Sequence, residues 1–492
     1  MNYILGIDQG TTSTRAVLFN DSGIPVHTAQ RELSQIFPDD GWVEHDPEEI
    51  WSATMAVCKE AVAACQDGVS AITAVGIANQ RETSVIWDRV TGTPVYNAIV
   101  WQDRRTASVC TTLRDSGYAS DIAAKTGLVV DPYFSGTKVA WILDNVMGAR
   151  ERASDGKLAF GTIDTFLLWR LTSGQVHATD ATNASRTMLF NIHDQTWDTT
   201  LLELLDVPAG LLPDVRDSAD DFGETDPELF GEAIPIRGVV GDQQAGLIGQ
   251  ASFKPGMVKC TFGTGCFAML NTGSNPLASN HRLLTTVAYR IAGRTTFALE
   301  GSIFIAGAAV QWLRDKLKII DNAAQSEVIA RSVSETGGVY MVPAFTGLGA
   351  PYWDTEARGV IVGLTRDSGA PEIVRAALES VVYQTRDLFE AMAADGTTPV
   401  SVRVDGGMAA NDWTMQFLSD LLSLRVERPL NTETTVLGAA YLSALGAGLY
   451  DSLDDVAAHW RINKTFSPTM AETDRDRRYA GWLKAVTQTQ GR

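Results

Sequence analysis

The sequence predicts an α/β protein made of two similar units with a groove between them. Three observations carry this reading. Strand-type apolar runs open each half around turns rich in Gly and hydroxyls, Asp8-Gln9-Gly10-Thr11-Thr12-Ser13-Thr14-Arg15 and Thr261-Phe262-Gly263-Thr264-Gly265-Cys266-Phe267. Long stretches of helical periodicity follow each opening. The pattern restarts near Pro235, where apolar residues 236–240 lead into Gly241-Asp242-Gln243-Gln244, so the units are taken as 1–245 and 246–492. A chain of 492 residues has room for both, at about 150 residues per domain.

Taken in order, residues 3–7 and 16–19 are apolar and read as the two strands of a hairpin. Asp46-Pro47-Glu48-Glu49 starts a helix, with an N-cap Asp, a first-turn Pro and a following Glu. Residues 69–78 and 83–87 read as strands. In the second half, strands flank a glycine turn over 258–270. Residues 371–394 carry one apolar stripe of helical period, and Asn411 starts another helix after Asp405-Gly406-Gly407.

Composition narrows the function. Hydrophobic residues make up 45%, and 59 acidic against 40 basic residues give a net charge of −19. So acidic a chain repels bulk nucleic acid and anionic lipid surfaces. The five Cys are an odd number without a CxxC pair, which points to reduced thiols in a cytoplasmic protein. Met1 leads directly into strand-type sequence without a signal peptide, and no apolar run approaches a membrane span.

The Asp8 to Arg15 turn can aim several N–H groups and hydroxyls at phosphate oxygens, and Asp8 can hold Mg²⁺ directly or through water. By spacing alone an ordinary polar hairpin tip is the commoner reading. Residues 263–268 match the start of a dinucleotide fingerprint. That site needs a helix after the turn, whereas 267–270 continues as a strand, so a second phosphate hairpin is the better reading. Asp221-Phe222-Gly223 stands without the other protein-kinase motifs, and GxxxxGK[ST] is absent. Phosphoryl transfer to a hydroxyl needs a carboxylate to take the proton. Asp242, at a strand end on the unit boundary, suits that role, though a strand-end Asp is more often a turn or cap residue. Arg81-Glu82 offers donors and acceptors to a polyol, with Trp101, Tyr133 and Phe267 as walls or as plain core.

In order along the chain these residues resemble the FGGY carbohydrate kinase family, in particular its glycerol-specific branch. The match includes Asp8 to Arg15, Asn79-Gln80-Arg81-Glu82-Thr83, Trp101-Gln102-Asp103-Arg104-Arg105, Tyr133-Phe134-Ser135-Gly136-Thr137-Lys138, Gly241-Asp242-Gln243-Gln244, Phe262-Gly263-Thr264-Gly265 and Asp405-Gly406-Gly407. The resemblance implies two actin-like ATPase (ribonuclease H-like) domains around an interdomain cleft. It implies ATP-dependent phosphorylation of glycerol to sn-glycerol 3-phosphate with Mg²⁺, the first step of glycerol breakdown. Arg81, Glu82, Tyr133 and Asp242 would bind glycerol hydroxyls with Gln243 assisting, and Trp101 and Phe267 would line the carbon side. Asp242 would be the general base and Asp8 the metal-side carboxylate. Thr11, Thr12, Ser13 and Arg15 would meet the terminal phosphates, and Thr264, Gly307, Gln311, Gly407 and Asn411 would hold the nucleotide. A homodimer or homotetramer is implied. Some members bind fructose 1,6-bisphosphate through a Gly-Arg loop, which the stretch before Ile234-Pro235 lacks, and Glu228 stands where others carry a phosphorylatable His. Neither control is expected here. An assembly or chaperone ATPase of the same fold would have no use for Arg81, Glu82, Trp101 and Tyr133, and a dinucleotide oxidoreductase rests on 263–268 alone.

Overall fold

Strand β1 (Tyr3–Gln9) is buried along nearly its whole length, as a central strand covered on both faces must be. It pairs antiparallel with β2 (Ser13–Asn20), and β2 pairs antiparallel with β3 (Pro25–Glu32). At the β1–β2 tip the Gly10 N–H donates to the Ser13 carbonyl at 2.9 Å. These are features of a computed structural model that describes residues 2–354 and 356–490. Helix α1 (Pro47–Ala63) starts where the sequence places it, its Asp46 cap accepting from the Glu48 N–H. Glu49 does not close a capping box; it accepts from the Ser34 N–H at 3.0 Å instead. Strand β4 (Ile72–Asn79) is shorter than expected, because Val69–Ala71 forms a single 3₁₀ turn that its apolar composition disguises. After it comes an insertion, residues 80–235, that includes α2 (Ser135–Asn145). Strand β5 (Ile236–Gly241) closes the sheet, with order β5-β4-β1-β2-β3 and β1, β4 and β5 parallel.

Helix α3 (Asp242–Gly249) follows β5 directly and runs through the 245/246 position. The second sheet contains β6 (Met257–Phe262), β7 (Cys266–Gly273), β8 (Leu284–Ile291), β9 (Arg294–Ile303), β10 (Ser401–Asp405), β11 (Val426–Pro429) and β12 (Ile462–Phe466). Its order is β8-β9-β7-β6-β10-β11-β12. Without the flanking β8 and β12, both sheets share one plan. The first strand is central, the next two lie antiparallel on one side, and two parallel strands lie on the other. The doubling expected from the restart of the pattern is therefore a doubling of topology. Helices α4 (Gly307–Trp312), α5 (Ala370–Ala394), α6 (Asp412–Leu422) and α7 (Thr434–Gly446) complete the parts needed here.

The two units exchange helices. Helix α3 leaves the first sheet and packs on β6, β7 and β8 of the second; α7 leaves the second sheet and packs on β1, β4 and β5 of the first. The two helices touch each other so closely that a Cβ at Gly438 would stand 1.8 Å from the Ala245 carbonyl oxygen. Between the sheets lies a shared apolar core that includes Ile4, Val17, Ala74, Val240, Leu247, Met269, Val436 and Leu442. All five cysteines are buried and unpaired, and among the described residues no helix is long and apolar enough to cross a membrane.

Candidate functional site

The strand ends of the first sheet meet the face of the second, and the charged side chains collect there. Gly241 ends β5, and its N–H donates to Thr182 Oγ1 at 2.8 Å, while that hydroxyl donates to buried Asp180 at 2.8 Å. The first residue of α3, Asp242, is therefore held in place from behind. A side chain at 241 would stand 2.8 Å from Arg81 Cγ and Cδ, so only Gly lets the Arg81 stem pass. Arg81 Nε then lies 3.2 Å from Asp242 Oδ1, and the Asp242 side chain keeps 27% exposure. It is partly exposed and is not packed in the interior of either unit.

Arg81 is a hub. Its Nη1 donates to Glu300 at 2.6 Å and to Gln244 at 3.2 Å; its Nη2 donates to Glu300 at 3.1 Å and to the Tyr133 hydroxyl at 3.3 Å. Glu82 adopts φ 61, a left-handed conformation rare outside Gly, and this turns its carboxylate to accept from Arg186 Nε at 2.7 Å. Arg186 Nη2 also donates to Glu300 at 3.1 Å. Burial pushes Glu82 up, outweighing the guanidiniums of Arg81 and Arg186, whereas for Glu300 those two guanidiniums overcome burial and hold it at about 2. The sequence reading missed Glu300, Arg186 and Lys259. Glu300 follows the apolar run Phe297-Ala298-Leu299 in a strand whose other charge is its first residue, Arg294, and a carboxylate after such a run is the weak signal it offers.

The Tyr133 and Trp101 rings meet edge to face, with centroids 5.6 Å apart. Buried Lys138 donates to the Tyr133 carbonyl at 2.6 Å and fixes that turn. The Trp101 indole N–H donates to Thr11 Oγ1 at 2.8 Å, tying the aromatic wall to the first hairpin. Phe267 is half-buried on β7, opposite Thr261 and Ser302. Gln243 accepts from Lys259 Nζ at 2.7 Å.

Asp8 lies near the end of β1, opposite Arg15 in register. Burial, then the charge of Asp242, pushes its carboxyl up to about 7 against the pull of Arg15. The two carboxylates thus share one neighbourhood beside the hydroxyl-bearing tip. Thr12 at that tip is exposed, and Ser13 Oγ accepts from Gln30 at 3.1 Å. Arg15 is turned to Gln30 at 2.9 Å and to Glu433 in the second unit. Among the described residues no group of three or more His, Cys, Asp or Glu is placed to hold a metal.

A cavity of about 480 Å³ opens in the second unit. Thr264, Gly307, Gln311, Gly407 and Asn411 all line it, together with Arg314 and Glu327, which the sequence reading did not single out. Its floor is pinned by backbone bonds, with the Ala306 and Ala308 N–H groups donating to the Thr264 carbonyl at 2.9 and 3.0 Å. Asn411 caps α6 by accepting from the Thr414 N–H at 2.9 Å. Strand β6 joins the two places: Lys259 touches Gln243, and Phe262 at its end lines the cavity.

Comparison with known proteins places this geometry. Residues 3–249 match the N-terminal domain of the FGGY family of carbohydrate kinases and residues 258–447 its C-terminal domain. The chain is 61% identical over 485 residues to a glycerol kinase of Ectopseudomonas mendocina, covering 98% of each protein. It is 61% identical over 489 residues to one of Alcanivorax borkumensis, covering 99% of this chain and 98% of that one. A crystal structure of Plasmodium falciparum glycerol kinase with ADP superposes with a TM-score of 0.95 at 38% identity, covering 99% and 98% of the two chains.

Proposed function

The chain belongs to the FGGY family of carbohydrate kinases, and on that premise we propose that it phosphorylates glycerol at the expense of ATP, giving sn-glycerol 3-phosphate and ADP. The observation that carries the reading is the placing of Asp242: partly exposed, paired with Arg81, and near Asp8. Such a carboxylate can take a proton from a hydroxyl aligned for phosphoryl transfer. Arg81 and Glu82 bind the polyol hydroxyls with Tyr133 and Gln243, and Trp101 and Phe267 wall the carbons. An assembly ATPase has no need of this cluster.

The nucleotide occupies the cavity lined by Thr264, Gly307, Gln311, Gly407 and Asn411, with its phosphates toward Thr11, Thr12, Ser13 and Arg15. The residues present suit Mg²⁺, a hard cation that takes one or two carboxylates plus phosphate and water oxygens. Asp8 would hold it, and when bound it neutralises charge on the phosphoryl oxygens. The units 1–245 and 246–492 close on the ligands and exclude water, which limits ATP hydrolysis without transfer. We place the enzyme in the cytoplasm as a homodimer or homotetramer.

A coupled ADP-release assay tests the substrate. Turnover should depend on glycerol; turnover with a pentulose or gluconate but none with glycerol would overturn the assignment.

A further inference from the structure

We propose that Glu300, on β9 of the second unit, is a positioning residue for the alcohol side of the site: it reaches across the cleft and sets the plane of the Arg81 guanidinium. The inference deepens the function proposed above and rests on it.

A guanidinium has five N–H donors in a rigid fork. In Arg81 every donor nitrogen is engaged, but unequally. The short, two-point contact is to Glu300, at 2.6 and 3.1 Å. The contacts to Asp242, Gln244 and Tyr133 are longer, at 3.2, 3.2 and 3.3 Å. A two-point carboxylate contact fixes a guanidinium in plane as well as in place. Glu300 therefore anchors one side of the fork, and the side toward Asp242 and Tyr133 is the more weakly held. That side is where an alcohol hydroxyl can bind at least cost.

The same carboxylate has a second arm. Glu300 accepts from Arg186 at 3.1 Å, and Arg186 holds Glu82 at 2.7 Å. One side chain thus orients a hydroxyl donor directly and a hydroxyl acceptor through one intermediary. Glu300, Arg81 and Arg186 are all buried, so solvent does little to screen these contacts. Glu300 stands opposite Met269 in the β7–β9 register, and Phe267 lies two residues from Met269, on the same sheet face. The alcohol-binding fork of the first unit is thus held by the sheet of the second, and glycerol recognition requires the two units to be in register.

Steady-state kinetics of the full-length E300Q and E300D variants test this, with ADP release followed against glycerol and against ATP. For Glu300→Gln the expected result is a glycerol KM raised about tenfold or more, with the ATP KM within about twofold of wild type. Glu300→Asp keeps the charge but draws it back by one methylene; it should fall between the two, with the glycerol KM raised about threefold or more. Unchanged glycerol KM in the folded variants overturns the proposal, and so does a parallel loss in both substrates, which marks a merely structural role. If Glu300→Gln does not fold, Glu300→Asp decides by the same criterion. Wild-type enzyme without glycerol-dependent turnover would instead defeat the functional reading itself, and this proposal with it.

Discussion

Asp242 and Asp8 show how much one side chain's surroundings decide. If Asp242 is the proton acceptor we propose, replacing it with Asn removes that function and keeps the shape, and kcat should fall at least about 10²-fold, the lower end for loss of a general base; single-turnover ADP release reads this. Near-normal kcat would remove Asp242 from the chemistry. Asp8 makes a pH prediction. Its folded carboxyl keeps its proton up to about 7, whereas an ordinary aspartate loses it near 3.8. Between those values the folded state binds the extra proton, so this group's contribution to stability is lost as pH rises through the window. The Asp8→Asn variant lacks the effect, and its melting temperature should drop less than that of wild type between pH 5 and pH 8 in thermal scans without ligands. A variant curve parallel to wild type would refute the shift. Individual residues were unevenly legible. Arg81, Glu82 and Asp242 stand at strand ends, where sequence marks a polar residue after an apolar run. Glu300 and Arg186 are fully buried charges whose partners lie 219, 114 and 104 residues away along the chain. No local pattern announces such partners, and a lone charge in sequence reads as solvated.

Among the elements, the hairpins and the capped helices were readable because their signals are local: Gly and hydroxyls at a tip, Asp46 before Pro47, Asn411 after two glycines. The strand expected over 69–78 starts late because an apolar 3₁₀ turn and an apolar strand look alike in sequence. Helix α7 gave no amphipathic stripe, since nearly every residue from Thr434 to Ala444 is buried between the sheets. Its crossing with α3 carries a prediction. A methyl group at position 438 would overlap the Ala245 carbonyl, 1.8 Å away, and backbone cannot yield as a side-chain tip can. Gly438→Ala should therefore destabilise the protein by about 2 kcal/mol or more, at the upper range for overpacking, with a lowered urea midpoint. A midpoint equal to wild type would show that the helices can part at little cost.

At the scale of the whole molecule, the doubled topology places charged side chains of both units in one cluster. The first unit contributes Arg81, Glu82 and Asp242 to the charged cluster and the second contributes Glu300 and the cavity proposed for the nucleotide. The sequence showed the doubling through its restarted pattern. It could not show the exchange of helices, which depends on contacts between opposite ends of the chain. That exchange bears on how the protein is made. During synthesis the strands of the first sheet emerge long before the helix that covers them, Thr434–Gly446, which follows most of the second sheet along the chain. Until it leaves the ribosome, a broad apolar surface on the nascent chain has no native cover and is open to chaperones or to aggregation. A fragment ending at residue 245 would carry that bare surface permanently.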